Sequence, residues 1–181
     1  MNTPEAPDKK PRVIIYKAST APDLTDEHMP VSGMLPADEA GFRRAREAGI
    51  RDSALIRLLF ENEQAGVSLT YAWFKSHATL PRHSHSADCL YYIISGSLKF
   101  GVEELEPGDG FLVPKNSLYS YEAGPNGVEI LEFRTATHFD ISFKGTDASW
   151  SRIVRNLEEH SPNWPAMDVP PAASRMMARD K

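Results

Sequence analysis

A chain of 181 residues with 41% hydrophobic and 25% charged residues is long enough for one globular domain and ordinary in composition. Its formal net charge of -5 and its lack of a basic block give no reason to expect nucleic acid or an anionic membrane as a partner. No apolar run approaches the roughly 20 residues that span a bilayer, and the single cysteine, Cys89, excludes internal disulfides and fits a reducing compartment. We therefore expect a cytoplasmic protein.

The first predicted elements are an arm and a helix. Six of the 14 prolines fall in residues 1–36, which predicts an extended N-terminal arm. Residues 37–53 are predicted as a helical lead-in. Within them, 37–48 carries good helix formers, with Asp38 and Glu39 in its first turn and Gly49 just past its end.

Eight short runs rich in Val, Ile, Leu, Tyr and Phe follow, separated by turn residues. Their spacing is close to the roughly 8–12 residues typical of antiparallel sandwiches and barrels. The region 54–145 is therefore predicted to be all-β and antiparallel. The runs are residues 54–60, 68–75, 89–95, 97–101, 110–114, 117–122, 128–133 and 139–143.

The last predicted elements are a helix over residues 146–162 and a flexible tail over 163–181. An amphipathic helix is indicated by apolar residues at i, i+3, i+4 and i+7, namely Trp150, Ile153, Val154 and Leu157. Four prolines between positions 162 and 171 argue against regular structure beyond it.

The stretch LPRHSHSADCLYYIISG, residues 80–96, carries the first chemical signal. Two histidines at i and i+2 on a strand point to one face, and imidazole is a common metal ligand. If His83 and His85 face inward, Cys89 and Tyr91 share that face as long as no bulge intervenes.

Together with PGDGFLVPKNSLY, residues 107–119, this stretch resembles the two motifs of the cupin superfamily. Two ligand positions of the motifs are changed, because Cys89 stands where the first motif has glutamate and Tyr119 where the second has histidine. Two glycine positions are also changed, to His77 and Asn116. The resemblance covers about residues 54–135 and implies an RmlC-like antiparallel β-barrel, or jelly roll, with flanking helices. The positions in register are His83, His85, Gly96, Gly108 and Pro114.

The resemblance implies a metal-dependent small-molecule enzyme with oxygenase or lyase chemistry. In it, His83 and His85 would hold a divalent iron or zinc ion, with Cys89 and Tyr119 as further candidate ligands. Tyr119, Tyr121 and Tyr91 are the candidate catalytic residues, with Tyr121 or Tyr91 as the proton donor and Tyr119 or water completing the metal sphere. The alternative is a non-catalytic or metal-free cupin that binds a small aromatic or carboxylate ligand as a sensor or carrier.

Further alternatives stay open. Cysteine at the glutamate position also resembles the thiol dioxygenase branch of the cupins, although the third histidine is missing. By analogy with cupins whose N-terminal segments pack on a neighbour, we expect a homodimer. Other candidates are His77, His138 and Asp88 as replacement ligands, and Arg57, Arg82 and Arg134 as carboxylate-binding residues.

Overall fold

The computed structural model describes residues 13–167 and 169–170 and confirms an antiparallel β fold with two flanking helices. Short 3-10 helices span Ala18–Thr20, Ile50–Ser53 and Ser161–Ala166. The longer elements are helix α1 (Pro36–Glu47), strands β1 (Ala54–Asn62), β2 (Val67–Phe74), β3 (His83–His85), β4 (Cys89–Phe100), β5 (Glu103–Leu105), β6 (Gly110–Val113), β7 (Glu122–Arg134) and β8 (Ile141–Phe143), and helix α2 (Asp147–His160).

The strands form two antiparallel sheets that enclose a common interior. The larger sheet has the order β1-β2-β7-β4-β5, with β6 also paired to β4, and the smaller one pairs β3 with β8. Backbone hydrogen bonds connect the segment around β3 with the segment that precedes β7. His83 forms a β-bridge with Tyr119, and the Leu80 amide donates to the Tyr121 carbonyl at 3.0 Å. This connection closes the interior around the motif histidines.

Alternation along β4 explains which residues enter the interior. Cys89 and Tyr91 are buried, whereas Leu90 and Tyr92, which alternate with them, are half exposed, as the period of two in a strand requires. Helix α2 follows the period of 3.6 instead, and buries Trp150, Ile153 and Leu157 on one face. The sequence predicted both patterns.

The N-terminal arm covers the free edge of β1. The Leu24 amide donates to the Ile56 carbonyl, the Leu58 amide donates to the Pro22 carbonyl, and the Arg57 guanidinium donates to the Ala21 carbonyl at 3.1 Å. An exposed strand edge pairs readily with other chains, so this cover protects the sheet. Residues 1–12 of the predicted arm lie outside the described residues.

Two predicted strand boundaries are wrong. Runs 89–95 and 97–101 form the single strand β4, in which Gly96 takes φ +75° at an irregularity of the pairing with β7. A side chain at Gly96 would overlap the Gly127 carbonyl, so the glycine serves a close strand approach and does not end the strand. Likewise, the residues that separate the predicted runs 117–122 and 128–133 lie within β7 and form no turn between two strands.

The run 117–122 was also predicted as a strand, but β7 begins only at Glu122. Asn116 takes φ +63°, and Tyr119 makes only an isolated bridge, so the chain turns there instead of extending. The histidine pair lies on its own strand, β3, in a different sheet from Cys89. The strand β5 was not predicted.

The predicted tail starts too early. Trp164 is 1% exposed, and its indole Nε1 donates to the Ser76 carbonyl at 2.9 Å, so this one side chain anchors the 3-10 helix Ser161–Ala166 to the barrel. Residues 168 and 171–181 of the predicted tail lie outside the described residues. Within the described ranges, no helix has the length and apolar character needed to cross a membrane.

Candidate functional site

Two concavities lie on either side of a wall that includes Thr79, Leu80, Pro81 and Tyr121. The larger, about 760 Å³, is an open groove beside α2, and its lining contains neither motif histidine. The smaller, about 300 Å³, lies inside the barrel and contains His83, His85 and Tyr119. Volume alone favours the groove. The interior cavity is the better candidate site, because buried polar groups converge there.

The interior cavity has a buried end and an exposed end. We call the buried end the floor; it consists of His83, His85, Tyr91, Tyr119, Tyr121, Glu132 and Arg134. We call the exposed end the mouth, and its charged residues are Asp26, Arg46 and Arg51. Apolar side chains lie between them, among them Leu24, Met29, Phe42, Ile50, Ile141 and Phe143.

Backbone carbonyls orient both imidazoles at the floor. His83 Nδ1 donates to the Pro81 carbonyl at 2.7 Å, and His85 Nδ1 donates to the Asp140 carbonyl at 2.7 Å. A carbonyl only accepts, so each Nδ1 carries a proton and, in the neutral ring, each Nε2 has a free lone pair. The ring centroids are 5.0 Å apart. The floor thus presents two neighbouring nitrogen acceptors.

Burial keeps both rings neutral at physiological pH. Loss of solvent around His83 lowers its pKa to about 3, and the neighbouring His85 adds to that effect. Burial also lowers the pKa of His85 to about 4, with a further contribution from the Arg134 guanidinium. These imidazoles are therefore weak proton acceptors but good hydrogen-bond acceptors or ligands.

The candidate catalytic tyrosines are all buried in this cavity. The hydroxyls of Tyr91 and Tyr119 are hydrogen-bonded to each other, and the Tyr119 ring lies with its centroid 4.3 Å from that of His83. Burial raises the pKa of Tyr91, Tyr119 and Tyr121, and the Glu132 carboxylate raises each further. All three are neutral phenols that give up their protons less readily than an exposed tyrosine.

Cys89 is 1% exposed, on β4 opposite Arg134 of β7. It is not among the residues that line the cavity. Burial raises the pKa of its thiol to about 12, so it is protonated at neutral pH. As placed, it acts as a small apolar core residue.

The floor contains a buried ion pair that the sequence did not predict. Glu132 Oε2 accepts from Arg134 Nη2 at 2.6 Å and from the Thr70 hydroxyl at 3.0 Å. Arg134 Nη1 donates to the same hydroxyl at 3.0 Å, and the guanidinium lies 4.2 Å from the Phe139 ring centroid. Strand alternation could have predicted the pair from the sequence, because Glu132 and Arg134 lie on the same face of β7 as the core residue Ile130.

The remaining candidate residues lie elsewhere. His77 stacks on His160 with ring centroids 4.5 Å apart, and His138 stacks on His28 with ring centroids 5.5 Å apart. Asp88 accepts from the Lys115 amide at 2.7 Å. Of the three candidate arginines, Arg134 alone is in the cavity lining; Arg57 holds the arm and Arg82 lines the larger groove.

The donors at the floor do not make up a complete metal site. Imidazoles tethered through Nδ1 to a carbonyl are typical of metal ligands, and His83 and His85 have this feature. Among the described residues, however, no three His, Cys, Asp or Glu side chains are grouped so that they could hold one ion. Catalytic zinc sites usually have three protein ligands. The predicted iron or zinc site therefore stays a prediction.

No protein-family model and no curated protein matches this sequence. Among solved structures, an RmlC-like cupin from Shewanella frigidimarina NCIMB 400 is similar at 22% identity and a TM-score of 0.40, over 46% of this chain and 76% of that one. A protein with a cupin-like fold from Ralstonia eutropha JMP134 is similar at 19% identity and a TM-score of 0.42, over 60% and 75%.

The polyketide cyclase RemF from Streptomyces resistomycificus is also similar, at 20% identity and a TM-score of 0.41 over 45% of this chain. The chain spans 64% of the length of that cyclase. At these identities and TM-scores, the likeness concerns the fold alone. Activity, substrate and metal have to be inferred from the residues of the cavity.

Proposed function

We propose that the interior cavity binds a small, largely apolar organic molecule whose inner end carries an O–H or N–H donor, and that binding needs no metal. One observation carries the proposal. The Nδ1 atoms of His83 and His85 are both committed to backbone carbonyls, which leaves two Nε2 acceptors at the floor. A ligand hydroxyl satisfies such an acceptor, whereas a carboxylate has no proton to donate.

The cavity walls suit an apolar, partly aromatic body. Phe42 and Phe143 stack with ring centroids 4.9 Å apart, and Tyr119 and Tyr121 stack at 6.3 Å. A volume of about 300 Å³ is at the lower end of the range for small-molecule sites. The proposed ligand therefore has a single ring or a short chain and a donor at one end.

The charge states favour binding over proton transfer by the floor residues themselves. Efficient acid–base groups have pKa values near the working pH. Burial moves the pKa of His83 down to about 3 and raises that of Tyr119. Both groups are thereby well suited to neutral hydrogen bonds.

The test compares 4-propylphenol with 4-propylanisole, in which a methyl group replaces the hydroxyl proton. Binding is measured by NMR titration of chelator-treated protein. We expect the phenol to bind about tenfold more tightly, because the ether leaves a buried acceptor unpaired. The variant His85→Phe keeps a ring but loses the acceptor, and should remove the preference. The matched control His160→Phe changes a histidine outside the cavity and should retain it.

The proposal is wrong if both compounds bind equally, if neither binds, or if the phenol binds only after metal is added. The last result would favour the metal-dependent enzyme predicted from the sequence. One observation supports that second candidate, namely the carbonyl tethers of His83 and His85. Elemental analysis of the purified protein tests this second candidate. If it is right, the wild type contains stoichiometric metal and the variant His83→Phe contains none.

The homodimer also stays a prediction. Light scattering after size-exclusion chromatography would measure the mass in solution, with one chain contributing 20.2 kDa.

A further inference from the structure

The mouth of the cavity carries more positive than negative charge. Arg46 on α1 and Arg51 on the following 3-10 helix both line it and are exposed, and Asp26 of the arm is the one acidic residue in that part of the lining. Within the described ranges, neither guanidinium has an ion-pair partner within 4.0 Å. Both therefore have donors available to a ligand.

Aromatic packing places one of these guanidinium groups at the edge of the apolar wall. Arg46 lies over the Phe42 ring, with its Cζ 6.0 Å from the ring centroid. Phe42 in turn stacks on Phe143, which lines the interior. A ligand whose ring contacts Phe42 would have its outer end close to Arg46.

The floor is electrically different, because its charges cancel. Glu132 and Arg134 form one ion pair, and backbone carbonyls hold the Nδ1 atoms of His83 and His85, so that both Nε2 atoms are acceptors. A carboxylate placed there would be repelled by the Glu132 carboxylate and by two nitrogen lone pairs. The Arg134 guanidinium would offset this repulsion only in part, because Glu132 already holds its Nη2. The mouth has two guanidinium groups with no ion-pair partner in the described part of the chain, and guanidinium binds a carboxylate with two parallel hydrogen bonds.

We infer that the ligand is a small organic monoanion bound with its carboxylate at the mouth, against Arg46 and Arg51, and its hydroxyl at the floor, against His83 and His85. The apolar body lies between these ends. The inference rests on the proposed function and deepens it, since it specifies the ligand class and its orientation. Deeper in the cavity, Arg134 Nη2 is committed to Glu132 and Nη1 to Thr70, and its buried Nε has no hydrogen-bond partner among the described residues.

The test uses 3-(4-hydroxyphenyl)propionate and its neutral methyl ester, which share the ring and the hydroxyl. Affinities are measured by NMR titration at low salt, alongside 4-propylphenol. We expect the acid to bind about threefold to tenfold more tightly than the ester, because the arginines are partly solvated. In the double variant Arg46→Gln/Arg51→Gln, the acid should bind no more tightly than the ester.

The matched control is Arg43→Gln/Arg44→Gln, which removes the same charge from exposed residues of α1 outside the cavity lining. It should retain the preference for the acid. If both double variants lost the preference for the acid equally, the inference would be contradicted, because the attraction of the acid would then come from the net charge of the protein alone.

Other outcomes separate this inference from the proposed function. If 4-propylphenol binds and the acid binds no better than the ester, or not at all, the orientation is wrong while the donor site remains supported. If none of the three compounds binds, the proposed function fails and the inference fails with it. If the acid binds but His85→Phe leaves its affinity unchanged, the hydroxyl does not reach the floor, and the inference is overturned.

Discussion

The floor and the mouth of the cavity both carry charged and polar side chains, but burial makes them chemically different. At the floor, Glu132 and Arg134 are almost fully buried and must satisfy each other, and the imidazoles are kept neutral. At the mouth, Arg46 and Arg51 are exposed and have no ion-pair partner among the described residues. Changes at the floor should therefore alter stability, whereas changes at the mouth should alter ligand affinity only.

The largest effect is expected from breaking the buried ion pair. Arg134→Met leaves the Glu132 carboxylate buried without its partner, which should lower the free energy of unfolding by about 3–5 kcal/mol. Urea denaturation measures the loss. In Arg134→Met/Glu132→Gln, the uncompensated charge is gone, so part of the stability should return. A double variant no more stable than the single one would show that lost packing is responsible.

The next effect is a pH dependence of stability that originates at the floor. The pKa values of His83 and His85 are about 3 and about 4 in the folded protein and near 6.5 when unfolded, so the unfolded chain binds more protons between these values. Stability should fall as pH drops from about 6.5 towards 4, by on the order of 1 kcal/mol per pH unit for each histidine.

Urea denaturation at several pH values tests this dependence. Below about pH 6.5, His85→Phe should show a shallower slope than the wild type, because one of the two titrating groups is absent. Parallel slopes for the two proteins would mean that His85 does not titrate on unfolding as proposed. His160→Phe controls for the loss of a histidine outside the cavity.

A smaller effect is expected from the tyrosine pair. Tyr119→Phe removes one hydroxyl and leaves the buried Tyr91 hydroxyl without that partner, which should cost about 1–2 kcal/mol of unfolding free energy. Tyr92→Phe is the control, because Tyr92 is 52% exposed and should change stability by less than about 0.5 kcal/mol. Equal effects in both would show that the hydroxyl pair contributes nothing.

The smallest effect on stability is expected at the mouth. Arg46→Gln and Arg51→Gln should each change the free energy of unfolding by less than about 0.5 kcal/mol, since both side chains are exposed and make no ion pair within the described residues. Thermal denaturation compares them with the wild type. A loss as large as that of Tyr119→Phe would erase the distinction between mouth and floor.

Much of the fold could be predicted because local patterns and burial agree. Helices α1 and α2 were predicted to within a residue or two at their ends, and the inward positions of Cys89 and Tyr91 followed from strand parity. Prediction failed where tertiary contacts decide backbone geometry. Gly96 and the glycine-rich segment of β7 are turn signals in a short window, but the approach of β4 to β7 places them within paired strands.

For the candidate site, too, the sequence predicted some features and the tertiary structure decided the others. Residue types and spacing predicted an antiparallel barrel, because strand alternation and turn chemistry are local properties. That His83 and His85 face its interior was implied by the resemblance of residues 80–96 and 107–119 to the cupin motifs. Only the tertiary structure decided that carbonyls hold both Nδ1 atoms, that Glu132 and Arg134 pair at the floor, and that two arginines from α1 and the next 3-10 helix reach the mouth. Charge state and hydrogen-bond direction depend on burial and on partners distant in sequence, which no local pattern contains.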